Sequence, residues 1–501
     1  MKLLPTLACG PAIWLLSTVS AAALSADSLW KDWTARLAAQ DISVTVGDTN
    51  RSGDQLVLTD IALEVEGNRL TLKSLKLREQ SDGSVTLEPS AQLKLEPTAD
   101  IDLRFAIEQS GFIATVREDL GKGFSYDFKA NKIDIDSSFS ETPELSELPE
   151  GTQAALPSTT ALQAQIQNPS GSYSHQDGSI TQYLLTLASD AANYEFSIND
   201  PNYGLASNSA ASSSSLHFEG ELALPELVKF TDFDQPGALS SAFKAGLAMR
   251  LKLNQGDSTT LTSEENEFLP YGLTTKSGPS EVELSVDRTA FSLNAQATPG
   301  SVEMSSAIFP APLALSFGDS SIVVRMPSMT EAEAQPYELA IALADLTPDE
   351  AAWALLDPKQ ALPHTPFALD LSLSGNIANG WIDLGETAVN NEEVLPLFET
   401  LSFGQSFVKG VGAEAHLSGA LDIDNSHGMP MPIGDLSLRL LGVMRLIDGL
   451  EANELVPAAE LALTRAMIEQ YFKKGSQEDE YLGDLSLSEG FGVALNGQPL
   501  Q

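Results

Sequence analysis

The sequence predicts a mainly β protein: antiparallel meanders in two strand-rich lobes, a short N-terminal helix, and a C-terminal helix packed on the sheet. Three observations carry that expectation. Apolar and polar residues alternate with a period of two through most of the chain, as strands with one buried and one wet face require. Gly, Asn, Ser and Pro interrupt the alternation at short intervals, where turns need them. A helical period of apolar residues is confined to the ends and a few connections. At 501 residues the chain is long enough to build more than one core.

Residues 1–23 read as a targeting segment. Lys2 supplies a positive charge, Leu3 to Val19 is largely apolar, and Ala21-Ala22-Ala23 is an A-x-A cleavage site, with cleavage after Ala26 as the alternative. Pro5, Gly10 and Pro11 break the apolar run and make it a poor permanent membrane span. The expected location is the periplasm, as a soluble chain after cleavage. Cys9 is the only cysteine, so the cleaved chain has neither disulfides nor thiol chemistry.

The N-terminal lobe, residues 27–201, opens on Leu29, Trp30, Trp33 and Leu37, whose spacing predicts an amphipathic helix starting near Ser28. Its tryptophans are expected to pack on the first sheet. Docking to a membrane surface is the alternative, although only Lys31 and Arg36 stand there against Asp32. From Asp41 to Glu96 the alternation is at its clearest. Leu56 and Leu58 lead, through a slip at Asp60-Ile61 that reads as a bulge, into Ile61, Leu63 and Val65. Leu70, Leu72, Leu75 and Leu77 repeat the behaviour, slip included. Leu56, Leu58, Leu70 and Leu72 are the candidate lining of an apolar groove; filling a closed core is the plainer role for the same leucines. Strands continue to about Ser138, Thr142 to Pro157 reads as a long loop or a short helix, and a second strand group runs from Ala161 to Ile198.

Asn202 to Ser215, with its run of four serines, reads as a linker or loop between the lobes. The C-terminal lobe, residues 216–501, begins with strand alternation from His217 to Leu224. Leu239 to Leu247 is expected as helix, Ala248 to Leu253 as strand, and Glu281 to Val324 as at least four short strands. Ser280 to Ala297 loosely echoes Tyr183 to Ile198, as related repeats would. Pro348 to Leu356 is the next helix, with Asp349 and Glu350 in its first turn and Asp357-Pro358 as its stop. Strands are expected at Phe367 to Leu373, Trp381 to Leu384 and Ala413 to Ile423, with a helix over Asn391 to Thr400. Pro457 opens the C-terminal helix, whose apolar positions are Leu461, Met467, Ile468, Tyr471 and Phe472. Leu482 to Leu487 and Phe491 to Leu495 form a hairpin, and Asn496-Gly497 a tight turn.

The chemistry is mostly one of exclusion. With 28 Lys plus Arg against 69 Asp plus Glu the net charge is −41, which repels nucleic acid and disfavours tight binding to anionic membranes. His175, His217, His364, His416 and His427 stand at no metal-ligand spacing. Gly404-Gln405-Ser406-Phe407-Val408 lacks the second glycine of a nucleophile elbow. There is no phosphate-binding loop and no dinucleotide fingerprint. Asp422, Asp424, Asn425 and Ser426 fail the spacing of a calcium loop and read as a polar turn. No catalytic, cofactor-binding or metal-binding residue is therefore assigned, and no enzymatic activity is expected.

The last 200 residues hold a spaced signature. It runs through Pro310-Ala-Pro-Leu313, Arg325-Met-Pro327, Trp353 with Asp357-Pro358, Leu362-Pro-His-Thr-Pro366 and Leu369-Asp-Leu-Ser-Leu-Ser-Gly375. It continues through Gly412-Ala413, Leu417-Ser-Gly419, Pro430-Met-Pro-Ile-Gly-Asp435 and Asn496-Gly-Gln498. This ordered set resembles the bacterial domain-of-unknown-function family 2125, and the likeness is read over essentially the whole mature chain, least in Pro143 to Glu281. The resemblance implies export, a β-rich fold and no assigned reaction. More loosely, the first meander is similar to the strand units of AsmA-type envelope proteins, which implies a curved sheet with a groove for acyl chains. The expectation is a non-enzymatic cell-envelope protein binding an apolar ligand, such as a lipid, or an envelope protein. The alternatives are a hydrolase of an envelope polymer using a carboxylate pair and a purely structural role.

Overall fold

The computed structural model describes residues 24–65, 68–96, 102–119, 123–142, 155–226, 228, 233, 235, 237–265, 270–389, 397–426, 429–490 and 492–500. Strands make up 62% of the chain and helices 14%, and the pairings described are antiparallel. The fold class is the one the alternation predicts. The chain divides into two compact units, Met1–Ala238 with Ala245–Tyr271, and Leu239–Lys244 with Gly272–Gln501.

Unit 1 starts with helix α1 (Ala26–Ala39), capped by the Ser25 side chain on the Ser28 N–H. Long strands β1 (Ser43–Ser52), β2 (Gln55–Val65) and β3 (Asn68–Glu79) follow as a meander. Beyond them each rung of the sheet is built from two shorter strands laid end to end. These are β4 (Val85–Pro89) and β5 (Gln92–Glu96), β6 (Asp102–Ser110) and β7 (Ile113–Glu118), and β8 (Gly123–Lys129) and β9 (Lys132–Glu141). The series continues with β10 (Ser158–Gln167) and β11 (Ser170–Gln176), then β12 (Ile180–Ser189) and β13 (Ala191–Asp200). It ends with β14 (Leu205–Ser213) and β15 (Leu216–Pro225), and β16 (Ala248–Gln255) and β17 (Ser258–Glu265).

The two halves stay separate. One file pairs as β3–β4–β7–β8–β11–β12–β15–β16, the near half, and the other as β3–β5–β6–β9–β10–β13–β14–β17, the far half. The breaks between them fall in line, bonded across strands: Ser90 N–H donates to Ser74 O, Gln109 to Ala91, Asn131 to Ser110, Asn168 to Asn131, and Asp190 to Gln167, at 2.7–3.1 Å. Left-handed residues, Asp60 (φ 51°), Gly111 (φ 67°) and Asn168 (φ 47°), sit along this line. The slip at Asp60-Ile61 is thus a kink and not a bulge, because no residue is added: Thr59 faces Ser74, Ile61 faces Leu72, and Gly47 of β1 packs against Asp60.

Asn202 to Ser215 is no linker here. Its strand β14 is bonded on both sides, to β13 and β17, and the units divide farther along, near Ala238–Tyr271. Serine and alanine are poor strand formers in isolation, but two neighbouring strands satisfy every backbone group, and that outweighs composition. Residues 1–23 and most of Thr142 to Pro157 lie outside the described residues.

Unit 2 takes most of helix α2 (Ala238–Ala245), then β18 (Tyr271–Ser277), β19 (Ser280–Val286), β20 (Ala290–Ala297), β21 (Gly300–Ser306), β22 (Leu313–Phe317) and β23 (Ser320–Pro327). Strands β22 and β23 both pair with β24 (Gln335–Pro348), after which come α3 (Glu350–Leu356), β25 (Phe367–Ile377), α4 (Trp381–Val389), β26 (Phe398–Gly410), β27 (Ala413–Asp424) and β28 (Met431–Leu441). Helices α5 (Val443–Ala452) and α6 (Ala458–Tyr471) precede β29 (Lys473–Lys474), β30 (Glu480–Ser488), β31 (Gly492–Leu495) and β32 (Gln498–Pro499). Ile447, Leu461, Ile468 and Tyr481 form the core under α5 and α6, so the C-terminal helix packs on the sheet as expected, although Met467 points outward.

Trp381 to Leu384 begins helix α4 where a strand was expected. Four residues are too few to separate the two periods, and the deciding contacts are remote: Asp383 accepts the Thr330 N–H at 2.7 Å, and Ile382 N–H donates to Ser328 O at 3.1 Å. Of Asn391 to Thr400, residues 391–396 are outside the described set and Phe398–Thr400 opens β26. The echo between Tyr183–Ile198 and Ser280–Ala297 is not structural, since β12 and β13 lie end to end whereas β19 and β20 form a hairpin.

Candidate functional site

Directly paired residues of antiparallel strands share a face, so the register of unit 1 sorts its side chains into rows. In the far half one row reads Leu72, Leu93, Ile107, Ile135, Ala164, Tyr194, Ala211, Thr260. The next on the same face reads Leu70, Leu95, Phe105, Ser137, Leu162, Phe196, Ser209, Thr262. Neither row holds a charge. The opposite face carries Lys94, Asp136, Gln163 and Glu195 in one row, and Glu108, Asp134, Gln165 and Asn193 in another. On the apolar face Leu162, Tyr194 and Phe196 are 38%, 45% and 37% exposed, unusual values for large apolar side chains set together.

The near half has the same polarity. Its rows read Leu56, Leu77, Leu87, Ala114, Phe128, Gly171, Leu187, Phe218, Leu253, and then Val85, Val116, Tyr126, Tyr173, Leu185, Gly220, Leu251. Here α1 covers the first strands. Leu29 and Trp33 join Leu56, Leu58, Leu75, Leu77, Val85, Val116, Tyr126 and Tyr173 in one core cluster, and Trp33 Nε1 donates to the Tyr126 hydroxyl at 3.0 Å. Burial pushes the Tyr126 phenol well above its usual range. The Arg36 guanidinium at the end of α1 grips Asp177 after β11 with two bonds of 2.7 and 2.6 Å. The tryptophans of α1 thus meet the sheet: Trp33 is buried and Trp30 half-buried against the cluster.

The four leucines singled out in the sequence separate. Leu56 and Leu58 are 2% and 0% exposed and fill the core beneath α1. Leu70 and Leu72 are half-buried and head the two far-half rows that run on to the exposed Phe196 and Tyr194, with Leu72 also packed against the edge of that core. Sequence reading missed Leu162, Tyr194 and Phe196, although the alternation in Ala161 to Ile198 carried the signal; only the register shows which face they share with Leu70 and Leu72.

A depression of about 520 Å³ lies where most of the lining belongs to the polar rows, with Glu108, Asp134, Asp136 and Glu195 among its residues. Ile135, Ala164, Tyr194 and Ala211 of the first apolar row also border it. Gln92 already donates to Glu108 at 2.5 Å, and Lys132 and Gln165 hold Asp134 at 2.8 and 3.0 Å. Among the described residues no group of three His, Cys, Asp or Glu is arranged to hold a metal ion.

In unit 2 the spaced residues Trp353, Asp357 and His364 converge. Asp357, 1% exposed, accepts hydrogen bonds from Ala361 N–H (2.8 Å), Leu362 N–H (3.0 Å), Asn453 Nδ2 (2.5 Å) and His364 Nε2 (3.0 Å). A carboxylate has no proton to offer, so His364 carries its hydrogen on Nε2. The His364 ring stacks on Trp353 at 4.1 Å and 5°. Burial pushes the Asp357 carboxyl up, but its four donors outweigh that and hold it at about 2. The arrangement ties α3, α5 and the approach to β25 together. Ser406 likewise serves the backbone, accepting from Ser372 N–H at 3.0 Å and donating to Ser372 O at 3.2 Å. Asp424 accepts the Ser426 N–H at 2.8 Å, the polar turn expected there.

Residues 220–496 match the family model described as an uncharacterized protein conserved in bacteria, domain-of-unknown-function family 2125. No curated protein and no solved structure matches the chain.

Proposed function

We propose that this chain, which belongs to the bacterial domain-of-unknown-function family 2125, is a non-enzymatic cell-envelope protein that carries a lipid acyl chain on the apolar face of its first unit. The observation that supports this most is the pair of uncharged far-half rows, with Leu162, Tyr194 and Phe196 exposed while the charges stand on the other face. From Leu93 to Tyr194 a row crosses five strands, about 19 Å at roughly 4.8 Å per spacing. One leaflet of a bilayer's hydrocarbon core is about 15 Å deep, so an extended acyl chain fits along it. The net charge of −41 opposes anionic headgroups and leaves the hydrocarbon as the part to be held. The apolar N-terminal segment and the looser likeness of the first meander to AsmA-type proteins support a periplasmic setting.

The test is the lipid content of protein purified without detergent from the periplasm of its own host, read by native mass spectrometry, for the wild type and for Leu162→Asp/Phe196→Asp. Both side chains are exposed, so the variant keeps its melting temperature, and charge placed among the rows lowers its lipid load. Wild type that is empty and takes up no acyl-chain probe, or a variant that keeps its full load, overturns the reading.

A further inference from the structure

We infer that the near half of the same apolar face takes an acyl chain of its own, whose polar end is held by His175 and Tyr173 beside Arg36 and is an uncharged hydroxyl; the inference rests on the acyl-chain reading above. His175 is 1% exposed and neither ring nitrogen has a hydrogen-bond partner; Tyr173 is 6% exposed and its hydroxyl has none. Buried polar groups are nearly always paired, and each one left alone costs about 1–3 kcal/mol. Two such side chains stand one row apart on β11, and Arg36 Nε adds a fourth buried, unpartnered atom to their three. The next residue along the Tyr173 row, Tyr126, is by contrast bonded to Trp33.

The pair sits at a boundary. The core cluster under α1 reaches only as far as Tyr183 and Leu185, the immediate row neighbours of His175 and Tyr173. Beyond them the rows continue on the same face through Leu222 and Met249, and through Gly220 and Leu251, with Leu222, Met249 and Leu251 half-buried. A chain lying on this strip has its end at β11.

The surroundings specify the kind of end. The rings of Phe124 and Tyr183 stand 5.9 and 6.1 Å from the His175 ring, and burial with the nearby Arg36 charge lowers the imidazole to about 3. A neutral imidazole offers one donor and one acceptor, and the phenol of Tyr173 offers the same. Asp177 already neutralises Arg36 through two bonds and lies 3.9 Å from His175 Nε2. A hydroxyl, donor and acceptor at once, complements such a set; a carboxylate or phosphate would meet Asp177 without a free cation.

Displacement of N-phenyl-1-naphthylamine by decanol, decanoate and decane tests this on the full chain. Wild type is expected to bind decanol about tenfold more tightly than decane, the worth of one buried hydrogen bond, and no less tightly than decanoate. In Tyr173→Phe/His175→Phe decanol and decane bind alike, while the melting temperature holds or rises because unpaired polar atoms have been removed. Tyr173→Phe alone, which deletes one oxygen, narrows the preference should the double variant fold poorly. An unchanged preference in these variants, a fall in melting temperature for Tyr173→Phe, or equal binding of all three by wild type overturns the inference and leaves the acyl-chain reading standing. A wild type that binds neither dye nor any of the three overturns that reading itself.

Discussion

Replacing Asp357 by alanine removes the acceptor shared by Ala361, Leu362, Asn453 and His364. Each bond to a buried carboxylate contributes about 1.5–3 kcal/mol, but the abandoned donors regain some hydration, and deleting one partner of a buried charged set costs about 3–5 kcal/mol in total. For a unit of this size each kcal/mol moves the melting temperature by roughly 2–4 °C, so unit 2 should melt about 6–20 °C lower in Asp357→Ala. Calorimetry measures the shift, and fluorescence follows Trp353 as its stacked His364 is released. The effect has a pH signature. The folded carboxyl, at about 2, lies below the unfolded value of roughly 3.9, so its contribution is complete above about pH 4 and is lost as pH falls towards 2. Wild type should therefore lose stability faster than Asp357→Ala over that window. A variant that melts within about 2 °C of wild type, or that shows the same slope below pH 4, refutes the account of Asp357 as the tie between α3, α5 and β25.

Three further outcomes follow from unit 1. Leu29→Ala, at a residue with no exposure in the core between α1 and the sheet, should cost about 2–5 kcal/mol by chemical denaturation. Gly123→Ala should destabilise the β8–β11 pairing, because Gly123 has φ 145° and its added Cβ would meet the carbonyl oxygen of His175; loss of amide protection at Phe124 and His175 checks it. If the targeting segment is removed, N-terminal sequencing should find the mature chain starting at Leu24 and not Asp27. Leu24 and Ala26 are buried, Ala26 N–H donates to Glu79 Oε1 at 2.9 Å, and losing the Ser25 cap would cost about 1 kcal/mol.

What the sequence discloses follows from range. Period-two alternation is a local signal, and it located the strands around Leu56–Val65 and Leu70–Leu77 and the hairpin at Leu482–Leu495, whose Asn496 and Gly497 adopt the left-handed turn conformation. Helix α5 went unread although Val443, Ile447 and Leu450 carry its spacing, since the strand before it ends without polar punctuation at Leu440-Leu441. The division of each rung into two halves was not legible, because a single interrupting residue such as Asp190 resembles an ordinary irregularity until its bond to Gln167 sets it in line with the others. Leu56 and Leu70 look alike in the chain; α1 lies over one and not the other, a fact of tertiary packing alone. The Trp353, Asp357 and His364 spacing was legible as a signature but not as a structural tie, for Asn453, its fourth member, lies 96 residues beyond Asp357.

The family match covers residues 220–496, most of it unit 2, whereas the exposed rows argued above lie in unit 1. An acyl-chain role for the family would therefore require the same one-sided pattern in unit 2, and the register supplies it. Leu284, Leu293, Val324, Leu339, Leu373 and Phe403 face one another across β19, β20 and β23–β26, and Val282, Ala295, Ile322 and Ile341 form the next row on that face. Ser285, Ser292, Arg325, Glu338 and Ser374 occupy the other. Val282 and Ile322 are 37% and 43% exposed, so Val282→Asp/Ile322→Asp should fold normally. If this face also holds hydrocarbon, that variant loses part of the lipid retained by Leu162→Asp/Phe196→Asp, and the combined variant is emptied beyond either. If its load equals that of wild type, the carrying face belongs to unit 1, and the matched segment owes its pattern to folding.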